Sequence, residues 1–205
     1  MAAAWHSRQL DKWPSLAGFG VVNHRWWRTD VCEVGTVLTL VKKFLVTQQF
    51  DASSQVVHQA FRCEQTWRSF AGLPFVGDPV VQSFIGGEPT TIATAYRVSI
   101  GLPAPADKFI DADKMTFVEV TTLQADGSGT FDIVPDHYDN LLSAFGRIEM
   151  VPFDQGCCER LIHGSVDVNL GWSGKFFEGP VEDAIVTGLT QALVAQANQI
   201  VLPVA

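Results

Sequence analysis

Long apolar runs are missing from this sequence. Nothing in it approaches the roughly 18 consecutive apolar residues of a membrane-spanning helix, so stable insertion into a bilayer is not expected. Cations are scarce as well: 14 Lys and Arg stand against 22 Asp and Glu, for a net charge of −8. Nucleic acid and anionic membrane surfaces reward clustered Lys and Arg, and no run of cations is present. Neither is an expected partner. Cysteine is sparse, and Cys32, Cys63, Cys157 and Cys158 match no zinc spacing. Adjacent Cys157 and Cys158 would point to opposite faces of a strand. The four read as reduced thiols of a cytoplasmic protein. No Gly-rich loop follows a strand and opens a helix, which removes the usual nucleotide sites. Asp107, Asp111 and Asp113 with Lys114 lack the glycine and terminal carboxylate of a calcium loop, and read as a solvated loop. Neither a metal nor a cofactor is expected. Arg8, Asp11 and Lys12 interrupt the N-terminus where the apolar core of a secretory signal should begin.

What is present is a globular composition, 47% hydrophobic and 18% charged, in 205 residues. That is enough for one domain with a sizeable core. Residues 1–40 stand apart. They hold Trp5, Trp13, Trp26 and Trp27, four of the six tryptophans, without a useful helical or strand period. They read as a disordered extension or a stretch foreign to the natural product; an aromatic arm that docks a partner is the alternative.

Residues 41–202 read as one domain. Phe44, Val46, Gln48 and Phe50 share one face and Lys43, Leu45, Thr47 and Gln49 the other, which predicts a first strand. Ser53 and Ser54 are N-cap candidates for a helix over about 54–70, broken in two or whole. Glycines and prolines end it. Strands follow at Val80–Ile85, Thr91–Ile100, Met115–Gln124, Thr130–Asp136, Leu142–Val151 and Glu159–Leu170, with an Asp126–Gly127 hairpin turn. In the last strand Ile162, Gly164, Val166, Val168 and Leu170 share an apolar face, while Leu161, His163, Ser165, Asp167 and Asn169 share a wetter one. Gly174–Val201 then repeats apolar residues at helical spacing: Phe177, Val181, Ile185, Leu189, Leu193, Ala197 and Ile200. Ala184, Gly188 and Ala192 flank that stripe. Pro180 suits a first helical position, Glu182 and Asp183 suit the first turn, and Pro203 suits the end. A helix of about twenty residues is roughly 30 Å long, enough to cross a sheet. Strands and helices kept apart in the chain argue an α+β fold.

This order, a strand, a short helical stretch, an antiparallel meander and a long C-terminal helix, resembles the helix-grip fold of the START and birch-pollen-allergen-like superfamily, SRPBCC. The stretch from Glu159 onward is most similar to an uncharacterised bacterial family of this type, with Gly164 in the last strand and Glu178 or Glu182 near the helix start. The Gly179–Pro180 step departs from it and should break the helix or restart it at Pro180. The resemblance implies a curved sheet of about six or seven strands gripping the long helix, with a cavity between them. It also implies an apolar ligand such as a lipid, sterol or polyketide, and no common catalytic residue.

Ligand pockets are mostly apolar with a few placed polar groups. On the faces read as inward, Phe44, Phe117 and Phe131 with Tyr96 are candidates to line the cavity. Gln48, His137 and Gln196 are candidates to orient a ligand. The leading expectation is a binding protein for an apolar small molecule. A polyketide cyclase or dehydratase is the second reading, with His137 or Tyr96 as acid–base, provided the two converge on one cavity. A protein-interaction domain with a closed cavity is the third. Cys158 and His163 fall on opposite faces of one strand, which speaks against a Cys–His dyad.

Overall fold

The computed structural model describes residues 41–99, 111–154, 156–170, 176 and 178–202. The Trp-rich residues 1–40 lie outside these, as do Cys32, Asp107, Phe177 and Pro203. Seven strands form one antiparallel sheet: β1 (Lys42–Phe50), β2 (Val80–Ile85), β3 (Thr90–Arg97), β4 (Thr116–Leu123), β5 (Gly129–Pro135), β6 (Leu142–Phe153) and β7 (Cys157–Val168). Their order is β1-β7-β6-β5-β4-β3-β2, so β2 to β7 pair consecutively, β7 comes back beside β1, and β1 and β2 form the two edges. Two short helices, α1 (Ser54–Phe61) and α2 (Glu64–Ser69), follow β1, and α3 (Glu178–Gln199) closes the described chain. Every predicted strand is present, with ends shifted by a few residues. Among the described residues no helix is long and apolar enough to cross a membrane.

Alternation sets the faces. In β7 the buried residues are Cys158, Arg160, Ile162, Gly164, Val166 and Val168, every second position. In β1 they are Val46, Gln48 and Phe50. Gly127 takes φ 86° in the β4–β5 hairpin, a conformation open to glycine, while Asp126 accepts the Ser128 N–H at 2.9 Å. The predicted helix near 54–70 is indeed two. The Ser53 side chain caps α1 by accepting the Val56 N–H at 3.4 Å. Phe50, Phe61, Trp67 and Phe70 then pack edge to face at successive centroid distances of 6.1, 6.3 and 5.8 Å, which ties both helices to β1.

A row of two phenylalanines and two glycines crosses one side of the sheet. Phe44, Gly164, Gly146 and Phe131 are register partners across β1, β7, β6 and β5. The two phenyl rings lie over the two glycines, in space that a Cβ at either glycine would occupy, and stand 6.5 Å apart. A sheet coils most easily where side chains are absent, and the flanking rings restore the apolar cover.

Two expectations for the last helix need correction. Gly179–Pro180 neither breaks nor restarts it, because α3 runs unbroken from Glu178. Pro180 is its third residue, where the backbone N–H groups have no intrahelical partner and a missing one is harmless. The fully buried side is also rotated from the predicted stripe. Val181, Gly188, Ala192 and Gln196 face the sheet, while Ile185, Leu189 and Leu193 are only half-buried. Gly188 and Ala192 are the small residues of this buried side.

The start of α3 is held by its acidic turn. Glu182 accepts the Val168 N–H at 3.3 Å and Glu178 accepts the Leu170 N–H at 3.0 Å. Asp183 pairs with Lys42 of β1. At the other end, the Gln199 amide accepts from Ala71 N–H at 3.0 Å and donates to its carbonyl at 2.8 Å. Burial, more than the neighbouring Asp167 and Glu178, raises the Glu182 carboxyl above the ordinary value of 4.5. A raised carboxyl favours folding while it is protonated, so its contribution is full below 4.5 and is lost as pH rises through the folded value. Glu182→Gln keeps the acceptor and removes the charge. It is expected to flatten the fall of melting temperature between pH 4 and 8; an unchanged slope would show that Glu182 does not titrate with folding.

Candidate functional site

The inward face of β3, β4, β5 and β7 is mostly apolar, with the buried threonines Thr90, Thr94 and Thr121 among the apolar residues. Strand parity brings Tyr96 (β3), Glu119 (β4) and Arg160 (β7) to the same side as Ile92, Phe117, Phe131 and Ile162. Helix α3 lowers Gln196 onto them. Its amide Nε2 donates to the Tyr96 hydroxyl at 3.1 Å. Tyr96 stacks on Phe117, its register partner, with ring centroids 5.2 Å apart. Burial, followed by the Glu119 charge, pushes the Tyr96 phenol well above its ordinary value of 10. It remains a neutral hydroxyl at physiological pH.

Arg160 is a buried cation, 3% exposed. Its Nη1 donates to Gln48 Oε1 at 2.8 Å, and its guanidinium lies 4.0 Å above the Phe61 ring. Gln48 in turn donates to the Leu193 carbonyl of α3. Both ends of the Gln48 amide are thus engaged, one on β7 and one on the helix. Burial lowers Arg160 to about 10, so it stays charged at neutral pH. Glu119 accepts the Thr121 hydroxyl at 2.8 Å. Burial raises its carboxyl, against the Thr121 hydrogen bond and the Arg160 charge, which lower it. Thr94, the register partner of Glu119, is buried and its hydroxyl has no hydrogen-bond partner. Groups of three or more His, Cys, Asp or Glu able to hold a metal are absent among the described residues.

Three small pockets run between this face and α3. The polar one is lined by Phe44, Tyr96, Glu119, Phe131, Arg160 and Gln196 among others, with a volume of about 20 Å³. A second, of about 40 Å³, lies against Val98, Met115, Ile185 and Gly188. The third, of about 50 Å³, reaches Val168, Val181, Tyr138 and His137. Each is large enough for a water or a few. Phe117 borders all three.

Of the seven residues expected at a cavity, Phe44, Tyr96, Phe117, Phe131 and Gln196 meet at one pocket. Gln48 lies behind it, bonded to Arg160. His137 does not join them. It is exposed in a bend beyond β5 and borders a different pocket from Tyr96. Pro135 ends the strand, so the parity with Phe131 and Ile133 no longer applies there. Sequence reasoning passed over Arg160, Glu119 and Thr94. Parity alone marks them: Arg160 is two positions before Ile162, Glu119 two after Phe117, and Thr94 between Ile92 and Tyr96.

The sequence matches no family model and no curated protein. Solved structures do match. The Zhui aromatase/cyclase from Streptomyces sp. R1128 has a TM-score of 0.54 and 10% identity, covering 77% of this chain and 92% of that one. The protein TTHA0849 from Thermus thermophilus has a TM-score of 0.53 and 9% identity, covering 77% and 96%. The chain has the helix-grip fold. A START superfamily protein from Mycobacterium smegmatis is more distant, with a TM-score of 0.44 and 12% identity over 77% of this chain and 97% of that one. Identities this low establish the helix grip and nothing finer. The polar cluster in this helix grip is therefore described from its own residues.

Proposed function

We propose that residues 41–202 form a domain that binds an apolar small molecule, of the lipid, sterol or polyketide class, between the sheet and α3. The observation that carries this reading is the series of pockets around Phe117. Rotation of that one ring would join them into a single space. The side of α3 that faces them supports the same reading, because Ile185, Leu189 and Leu193 are left half-buried. A ligand that covered them would gain about 25 cal/mol for each Å² of apolar surface removed from water. Phe44, Phe117 and Phe131 would form the walls, and Tyr96 with Gln196 would hold a polar end.

Native mass spectrometry of the purified protein, followed by denaturing extraction, tests the proposal directly. A stoichiometric apolar passenger is the expected result. A bare protein mass, together with no thermal shift from fatty acids, sterols or aromatic polyketides, would overturn it. Tyr96→Phe is expected to weaken such a ligand about tenfold, or about 1.4 kcal/mol. An unchanged affinity would reduce Tyr96 to a packing residue. The size of the pockets favours a second reading, an interaction domain with a closed interior. Their 20–50 Å³ are far below the roughly 300 Å³ at which ordinary ligand sites begin.

A further inference from the structure

The polar end of the cleft carries more hydrogen-bonding capacity than the protein uses. The Arg160 guanidinium has five N–H donors, and Gln48 takes one. No carboxylate among the described residues forms an ion pair with it. Tyr96 accepts from Gln196, so its own proton remains available to an acceptor. The Thr94 hydroxyl is 1% exposed and unpartnered, opposite Glu119 in the β3–β4 register. Glu119 uses acceptor capacity on Thr121 and has more to offer. Arg160, Glu119, Tyr96 and Gln196 border the same pocket, whose remaining walls are apolar.

We infer that this corner recognises an uncharged head that joins a carbonyl to a hydroxyl, as in a β-hydroxyketone, at the end of an apolar body. The carbonyl accepts from Arg160 and Tyr96, and the hydroxyl donates to Glu119. The inference rests on the binding reading above and adds the chemistry of the ligand. Charge decides against a carboxylate head. Arg160 and Glu119 already oppose one another, and each feels the other's field. A neutral head leaves that balance intact. A carboxylate would bring an unmatched negative charge into a buried site beside Glu119. An alcohol would satisfy Glu119 and leave the donors of Arg160 and Tyr96 without an acceptor.

The test compares three probes of matched chain length by calorimetry: a twelve-carbon β-hydroxyketone, dodecanoic acid and dodecan-1-ol. The wild-type protein is expected to bind the hydroxyketone at least tenfold more tightly than either of the others. In Glu119→Gln the pocket keeps its shape and gains one net positive charge, so the order is expected to invert in favour of dodecanoic acid. Three equal affinities, unchanged by Glu119→Gln, would overturn the inference and leave apolar binding standing. Tight binding of dodecanoic acid by the wild type would overturn the choice of a neutral head. Failure of all three probes with both proteins would remove the binding reading and this inference with it. Circular dichroism and melting temperature confirm that the variant is folded in every arm.

Discussion

Phe117→Ala is expected to destabilise the domain by about 3–4 kcal/mol and to create one continuous cavity where three small ones exist. The magnitude follows from position. Phe117 is 5% exposed, stacks on Tyr96, and borders all three of the pockets described above. Its removal loses the transfer free energy of the ring and the aromatic pair, and leaves a void that a seven-stranded sheet cannot close by itself. For a domain of this size such a loss corresponds to a fall in melting temperature of roughly 10 °C. The enlarged space is apolar on most sides, the kind of engineered cavity that stays dry and admits benzene. Benzene is therefore expected to raise the melting temperature of Phe117→Ala and to leave the wild type unchanged. A loss below about 1 kcal/mol with no response to benzene would mean that α3 settles into the gap. The ring would then not be what keeps the pockets apart.

The second large effect lies in the glycine row. Gly146→Ala is expected to cost about 3 kcal/mol or more, and Gly164→Ala clearly less, although the two glycines are register partners on the same face. A methyl on Gly146 would collide with the carbonyl oxygen of His163 as well as with the Phe131 ring. The His163 oxygen belongs to the backbone of β7 and can move only if the ladder moves. A methyl on Gly164 would meet the Phe44 ring, whose side chain is half-buried and able to swing toward solvent. Phe44→Ala is then expected to recover part of the loss in Gly164→Ala, a coupling readable from a double-mutant cycle by urea denaturation. Phe131→Ala is not expected to rescue Gly146→Ala, because the clash with the β7 backbone remains. Equal losses at the two glycines, or rescue at Gly146, would contradict this account.

The clearest strands were legible because they alternate: β1, β3, β5 and β7 bury every second residue along most of their length. Period two in β1 and β7 assigns every side chain to a face before any partner is known. The same parity placed Gln48 and Tyr96 on the inward side, where both are buried. It failed at His137, where Pro135 stops the strand and the chain turns outward. Arg160 and Glu119 were passed over, because charged side chains are seldom buried and so draw no attention on an apolar face. Both are on that face all the same. Gln48 and Phe61 shield the guanidinium, and Thr121 supports the carboxylate.

The helix shows the other limit. Its length, its acidic first turn and its apolar stripe are local properties, and the sequence determined all three. Its rotation about its own axis is not local. Large residues at 185, 189 and 193 maximise the apolar stripe, but close packing on a coiled sheet selects the small side chains of Gly188 and Ala192 instead. That turn of the helix carries Gln196 onto Tyr96 and leaves the large residues at the rim of the pockets. By itself, then, the sequence determined which elements form, in what order, and which face of the alternating strands is turned inward, because those follow from period and turn chemistry. Only the tertiary structure decided that Tyr96, Glu119, Arg160 and Gln196 share one corner. They come from three strands and a helix, up to 100 residues apart, and the strand order and helix packing that join them are set by contacts across the whole sheet.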